Sequence, residues 1–167
     1  MAADRSEWRV FVDANILIAG TVWPRWPYEV LQHALKGDFR LVLNPYVIEE
    51  ARRTLARRFS ADMPRFETFL ELCPYEVAGM PTGEAITANA YLVRDVSDVP
   101  VALAAIEAGV NCLVSEDKDL TIHDETTVEL RKLLPVYLSG TFLRELMGWS
   151  TEQLEAVRGR RWQDIAQ

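Results

Sequence analysis

The stretch Val10-Phe11-Val12-Asp13-Ala14-Asn15-Ile16-Leu17-Ile18 decides the fold: a short apolar strand that runs into a carboxylate and a carboxamide. A second stretch, Cys112-Leu113-Val114-Ser115-Glu116-Asp117-Lys118-Asp119, repeats the same grammar a hundred residues later. Continuous apolar strands belong to sheets covered on both faces, the habit of parallel sheets. In such open sheets, ligands bind beyond the carboxyl ends of the strands, where the strand order reverses. Both polar bursts are therefore expected to face one cleft.

Working outward, Trp8 to Asp13 reads as a strand, followed by an irregular turn rich in Trp and Pro (Trp23, Pro24, Trp26, Pro27) and a helix to Lys36, closed by Gly37. Arg40 to Leu43 is a second strand. Asn44 as N-cap and Pro45 at the first helical position then open a helix to Phe59. Pro64 to Leu72 reads as helix, Tyr75 to Ala78 as strand and Gly83 to Val93 as an alanine-rich helix. Ser97 or Asp98 caps a helix with Pro100 in its first turn, and Gly109 ends it. Cys112 to Ser115 and Pro135 to Leu138 are the last strands, with closing helices over Thr141 to Met147 and Thr151 to Arg158. Strands alternating with helices of these lengths predict a three-layer α/β fold with a mostly parallel sheet.

The chain has 167 residues, 49% of them hydrophobic, which suffices for one well-buried core in a single domain. No apolar run approaches the roughly 20 residues that span a bilayer, and Met1 to Trp8 lacks the basic and hydrophobic regions of a signal peptide. The expected location is cytoplasmic, with no membrane partner. Cys73 and Cys112 sit in apolar contexts without a partner at metal-ligand spacing and read as two reduced core thiols. The net charge of −7 argues against a protein that coats nucleic acid through bulk positive charge. It leaves room for a nuclease, because a site built from carboxylates supplies much of that charge itself and bound metal ions invert the local field. Arg52, Arg53, Arg57 and Arg58 cluster on one expected helix, either as a solvated face or as a phosphate-contacting surface.

The carboxylates carry the chemistry. Asp13 ends a buried strand, so it needs a hydrogen-bond partner, a metal or exposure. Asn15 could orient the Asp13 carboxylate or cap a loop. Glu49 and Glu50 share the second helix; Glu49 has Arg53 four residues on, a routine surface pair, which favours Glu50 as the functional acid. Asp98 fits an N-cap and also a ligand, with Asp95 as a supporting or surface group. Asp117 and Asp119 follow the strand in a burst too dense in charge for a turn alone. Ser115 could hold a carboxylate or a phosphate, and Lys118 could contact phosphate or stand as surface charge. His33 and His123 lack zinc-ligand spacing, and no Gly-rich phosphate loop or nucleophile-elbow serine is present. What remains is hard-oxygen chemistry suited to Mg²⁺ or Mn²⁺.

Asp13-Ala-Asn15, Asn44-Pro-Tyr-Val-Ile-Glu-Glu50, Asp98-Val-Pro-Val-Ala-Leu-Ala-Ala and Leu-Val-Ser115-Glu-Asp117-Lys-Asp119-Leu, in that order, resemble the PIN-domain family. The match runs from Val10 to Leu146, with Thr141-Phe-Leu-Arg-Glu-Leu similar to the end of its toxin branch. The resemblance implies a sheet of about five parallel strands and a metal-dependent ribonuclease, often the VapC-type toxin partner of an antitoxin. The expected layout is a PIN-like nuclease domain over residues 1–147 with a helical extension of the same domain over 148–167. The family's acids fall on Asp13, Glu50, Asp98 and Asp117, with Asn15, Ser115 and Asp119 in support. Asp13, Asp98 and Asp117 are the expected metal ligands, and Arg53, Arg57 and Lys118 the expected RNA contacts.

Two departures stand out. Ser115-Glu116 replaces the family's Thr-Gly; serine keeps the hydroxyl, while Glu116 replaces a residue of unusual backbone freedom and adds negative charge near the phosphate path. The tail with Arg158, Arg160, Arg161 and Trp162 lies outside the resemblance. Rival readings are an aspartate-nucleophile phosphatase, which typically has a second Asp where Asn15 stands, and a catalytically inactive PIN-like RNA- or protein-binding module. A homodimer or a complex is expected, because the Trp23 to Pro27 turn carries more aromatic surface than a loop needs.

Overall fold

The computed structural model describes residues 3–165, so the outermost residues of both expected units, 1–2 and 166–167, lie outside the described residues. Five strands form one all-parallel sheet: β1 (Arg9–Val12), β2 (Arg40–Leu43), β3 (Tyr75–Val77), β4 (Cys112–Val114) and β5 (Val136–Tyr137), in the order β3-β2-β1-β4-β5. β1 is central, with Phe11 beside Val42 on one flank and Leu113 on the other. Val10, Phe11 and Val12 are completely buried. The chain steps outward from β1 to β2 to β3 and then returns to the opposite flank of β1 as β4. The order therefore reverses between β1 and β4, the position at which open α/β sheets bind ligands.

The helices are α1 (Ala14–Val22), α2 (Trp26–Lys36), α3 (Pro45–Arg58), α4 (Met63–Leu72), α5 (Gly83–Ala88), α6 (Val99–Ala108), α7 (Lys118–Thr121), α8 (Val128–Leu133), α9 (Ser139–Glu145), α10 (Thr151–Val157) and α11 (Trp162–Ile165). α1 packs against α2, α3 and α4, and α9 against α2, while α6 packs on β4 beside α5. Right-handed crossovers in the two directions from β1 account for this division into two helical layers. None of the described helices is long and apolar enough to cross a membrane. Cys73 and Cys112 are free and buried, and burial pushes their thiols up to about 11 and about 12.

Four expectations need correction. The segment after β1, expected as an irregular turn, contains α1. This helix is enclosed by α2, α3 and α4, so it is apolar nearly all round and offers no amphipathic period to read. The alanine-rich helix stops at Ala88, where Asn89 turns its amide back onto the Ala85 carbonyl at 2.7 Å, and continues as a 3-10 turn over Ala90–Leu92. The short helices α7 and α8 were not expected. The Trp-Pro turn is largely covered: Trp26 donates from Nε1 to the Leu154 carbonyl at 3.0 Å, and Trp23 meets Phe59 edge to face at 5.6 Å, leaving Trp23 39% exposed.

What covers the turn is the segment after Met147. Ser150 and Gln153 form a capping box at the start of α10. Beyond it, Arg160 donates to the Pro24 carbonyl at 2.7 Å and pairs with Glu29 at 2.6 Å, and Trp162 donates to the Val22 carbonyl at 2.8 Å. The Arg65 guanidinium lies 4.0 Å from the centre of the Trp162 ring.

Gly20 shows why α1 sits where it does. A Cβ there would stand 2.6 Å from Leu31 Cδ1 and 3.1 Å from the Pro27 backbone, so the glycine permits the close approach of α2. Gly20→Val should lower unfolding stability in urea by about 1–3 kcal/mol through overpacking. Gly83→Ala, at a site with open space and an ordinary backbone, should raise it by about 0.4–1 kcal/mol.

Candidate metal centre

Asp13 leaves β1 and caps α1. Its carboxylate is buried and accepts from the Ala14 N–H at 2.7 Å through Oδ1, and from the Ser115 hydroxyl at 2.8 Å through Oδ2. Ser115, fully buried at the end of β4, thus ties the two strands that flank the reversal in strand order. The Asn15 amide donates to Ser115 Oγ at 3.2 Å and to Asp13 Oδ2 at 3.4 Å, while its carbonyl accepts from the Glu116 N–H at 3.1 Å. Ser115 Oγ in turn accepts from the Asp117 N–H at 3.0 Å, and Asp117 caps α7 by accepting from the Asp119 N–H at 2.9 Å. Asp13, Asn15, Ser115, Asp117 and Asp119 therefore belong to one hydrogen-bonded chain. Asn15 lies in the first turn of α1 rather than in a loop.

Asp98 arrives from the opposite side, at the start of α6. Its side chain makes no capping bond; the acid that caps locally is Asp95, which accepts from the backbone and hydroxyl of Ser97. Asp98 Oδ2 is buried without a hydrogen-bond partner among the described residues. Burial, followed by the adjoining Asp117 carboxylate and then the charges of Asp95 and Asp13, holds the Asp98 carboxyl well above the usual carboxylate range. Asp13 is also pushed up, to about 6, first by burial and then by the charges of Glu50 and Asp117, against the lowering pull of its Ser115 and Ala14 hydrogen bonds.

Glu50 is partly buried on α3 with its charge felt at Asp13, whereas Glu49 is exposed. The expected Glu49–Arg53 pair is not formed among the described residues; Arg52 instead makes two bonds to Glu67 of α4, at 2.8 and 2.9 Å. Arg53 and Arg57 are exposed without ion pairs among the described residues, and they follow Glu50 at helical spacing along α3. Lys118 is exposed at the start of α7. Two residues escaped sequence reasoning. Tyr46, four residues before Glu50 and so on the same helix face, has its phenol raised first by burial and then by Glu50 and Asp13, with Arg53 opposing. Arg94 lies 4.0 Å from Asp119. The i−4 spacing could have revealed Tyr46; nothing in the sequence marks Arg94.

Glu116 is anchored at one oxygen. Its carboxylate accepts from the Ser139 N–H at 2.8 Å, at the amino end of α9, and so is engaged away from the acids. Among the described residues no non-glycine residue has positive φ, Glu116 included, so the position does not demand glycine.

The donor set suits a hard divalent cation. It is all oxygen, one buried carboxylate oxygen is orphaned among the described residues, and two acids are raised first by burial and then by neighbouring carboxylates whose repulsion a cation would relieve. Among the described residues, the three carboxylates close enough to share one ion are Asp95, Asp98 and Asp119, with ligand atoms within 4.8 Å of one another. Asp98 is common to this trio and to the expected set Asp13, Asp98 and Asp117.

The raised Asp13 carboxyl has a sign. A folded-state value of about 6 against an ordinary 3.8 means that the fold prefers protonated Asp13, so its stabilising contribution is greatest below about pH 4 and is lost as pH rises through about 6. Metal-free Asp13→Asn should therefore be more stable than wild type at pH 7, by on the order of 1–3 kcal/mol, with the gap closing toward pH 4 in chemical denaturation.

Residues 9–119 match the family model described as the PIN domain. Among solved structures, the chain is similar to PAE2754 from Pyrobaculum aerophilum, with a TM-score of 0.57 and 18% identity over 87% of this chain and 94% of that one. It is also similar to VapBC2 from Rickettsia felis bound to a DNA fragment from their promoter, with a TM-score of 0.52 and 13% identity over 78% of this chain and 98% of that one. No curated protein sequence matches. At these identities the structures establish a shared fold, and the family model covers two thirds of the chain and includes Asp13, Glu50, Asp98 and Asp117, so the chain belongs to the PIN-domain family.

Proposed function

We propose that the chain is a metal-dependent endoribonuclease and the toxin component of a toxin–antitoxin pair. The observation that carries this reading is the convergence of Asp13, Glu50, Asp98 and Asp117 where the strand order reverses, with Asp98 Oδ2 left unpartnered. Asp13, Asp98 and Asp117 would hold Mg²⁺ or Mn²⁺, with Asp95 and Asp119 near enough to complete the set. Such an ion supplies Lewis-acid stabilisation of charge developing on the phosphate and acidifies water. Ser115 and Asn15 keep Asp13 oriented through their hydrogen bonds. Glu50 accepts a proton from the attacking water or completes the ligand set. Arg53, Arg57 and Lys118 receive phosphates of the RNA, a role for which their exposure suits them.

The inactive-module alternative rests on Glu116 and on the overall acidity; Glu116 accepts from α9 at one carboxylate oxygen, and an acid cluster built for a cation accounts for part of the negative charge, so both are compatible with the enzyme reading. The likeness to a VapBC complex supports an antitoxin partner here, and light scattering at micromolar concentration decides the expected homodimer against a clean monomer.

The deciding assay is cleavage of single-stranded RNA with Mn²⁺ and with chelator. Asp13→Asn and Asp117→Asn should each lose more than about 100-fold in rate, beyond the 10- to 100-fold typical when only an outer partner of a ligand is removed. Retained activity in both variants would dismiss the site. Mn²⁺ at about 100 times its dissociation constant should stabilise the wild type by about 2.7 kcal/mol, and a metal-independent melting curve would count against binding. In the same preparations, Arg53→Glu with Arg57→Glu should weaken RNA binding and flatten its salt dependence by up to about two in log–log slope; unchanged affinity at low salt would return the pair to solvated surface.

A further inference from the structure

Beside the acids lies a second feature that the proposed chemistry does not use. A cleft of about 320 Å³ opens between the α1–α2 turn and the segment after α10, walled by Trp23, Arg25, Trp26, Glu116 and Arg158. A neighbouring hollow of about 220 Å³ shares Trp26, Glu116 and Arg158 with it and adds Thr141 and Arg144. Glu116 joins this cleft to the acid site, since its N–H donates to Asn15 and the preceding Ser115 donates to Asp13. Ala19, on the cleft wall, is six residues from Asp13 along α1, about 9 Å at helical rise.

The wall chemistry is that of a single-stranded nucleic-acid site, in which aromatic faces take bases and cations take the backbone. Trp23 is exposed, and among the described residues its one aromatic pairing is the edge contact with Phe59. Trp26 is fixed between Gly140, where a Cβ would stand 3.0 Å from the ring, and the Arg158 guanidinium, 5.3 Å from the ring centre. Arg25 uses Nε on the Arg160 carbonyl, and its terminal nitrogens have no hydrogen bond among the described residues. Arg158 pairs with Glu155 at 3.0 Å at the surface, a contact that a phosphate can replace. Glu116 accepts from the Ser139 N–H through Oε1, and its Oε2 has no hydrogen bond among the described residues.

We propose that this cleft is a nucleotide subsite that takes an unpaired nucleotide flanking the scissile phosphate of the RNA. The base lies on Trp23, the phosphate meets Arg25 and Arg158, and the open Glu116 oxygen selects a base offering N–H donors. Guanine is preferred, because its Watson–Crick edge presents a ring N–H beside an amino group and a carboxylate is acceptor-only. The inference rests on the ribonuclease reading of the acid site.

The test uses the full chain and labelled uridine octamers with or without one guanosine, measuring anisotropy in chelator and cleavage in Mn²⁺. Trp23→Ala should raise Kd and KM by about 5- to 100-fold, the range of one lost base stack, and Arg158→Ala should raise both and flatten the salt dependence of Kd through a lost phosphate contact, each with kcat held within about twofold. Glu116→Gln, which can still accept from Ser139, should cut the preference for the guanosine octamer by about tenfold. If the wild type cleaves and neither Trp23→Ala nor Arg158→Ala changes KM, the subsite is wrong and the ribonuclease stands. If the wild type neither binds nor cleaves any octamer, the ribonuclease reading falls and the subsite with it. Should Trp23→Ala fail to fold, Arg158→Ala, on an exposed side chain, decides alone. Equal affinity for a blunt duplex also overturns the proposal.

Discussion

A carboxylate held at the end of a fully buried central strand is the constraint around which this protein is built. Asp13 cannot be surrounded by water there, and burying it without partners would cost several kcal/mol. Three donors answer that need, from the first turn of α1 and from Ser115 across the sheet. The same bonds fix the entry angle of α1, set Ser115 and Asn15, and align β1 with β4. Asp13 also sits at the amino end of α1, where the helix dipole favours negative charge. Local stabilisation and the placing of a reactive group are thus one set of contacts.

Asp98 does the opposite. Asp98 adopts helical backbone angles at the start of α6 and leaves the local capping to Asp95 and Ser97, so its carboxylate faces other carboxylates instead of N–H groups. The result is a concentration of like charge that weakens the metal-free fold and is relieved by a proton or a cation. Tyr46, half-buried among Glu50, Asp13 and Arg53, lies where this acidic field meets the basic stripe of α3.

Much of this was legible from residue types. Asn44-Pro45 announced the start of α3, with Asn44 accepting from Val47 at 3.1 Å, and Gly37 and Gly109 close α2 and α6 with left-handed backbone. The apolar runs ending in Asp13 and Ser115 placed both groups at one sheet edge because a parallel sheet leaves them nowhere else. What was not legible depends on packing. α1 lacks a polar face, so its period is silent. The direction of a long side chain such as Glu116 depends on α9, which follows it by more than twenty residues. The role of Asp95 could not be told from that of Asp98, because the two differ only in which one finds Ser97.

The segment after Met147 closes on the Trp-Pro turn through hydrogen bonds that span 131 to 140 residues. Contacts of such separation form late, after loop closure has been compensated by other packing. During synthesis, α1 and α2 leave the ribosome long before Arg160 and Trp162 exist. The carbonyls of Val22 and Pro24 and the carboxylate of Glu29 must wait in water for their partners. One wall of the cleft beside the acids is therefore assembled last, and the growing chain passes through a stage in which the acidic centre can form while the surface beside it is still incomplete.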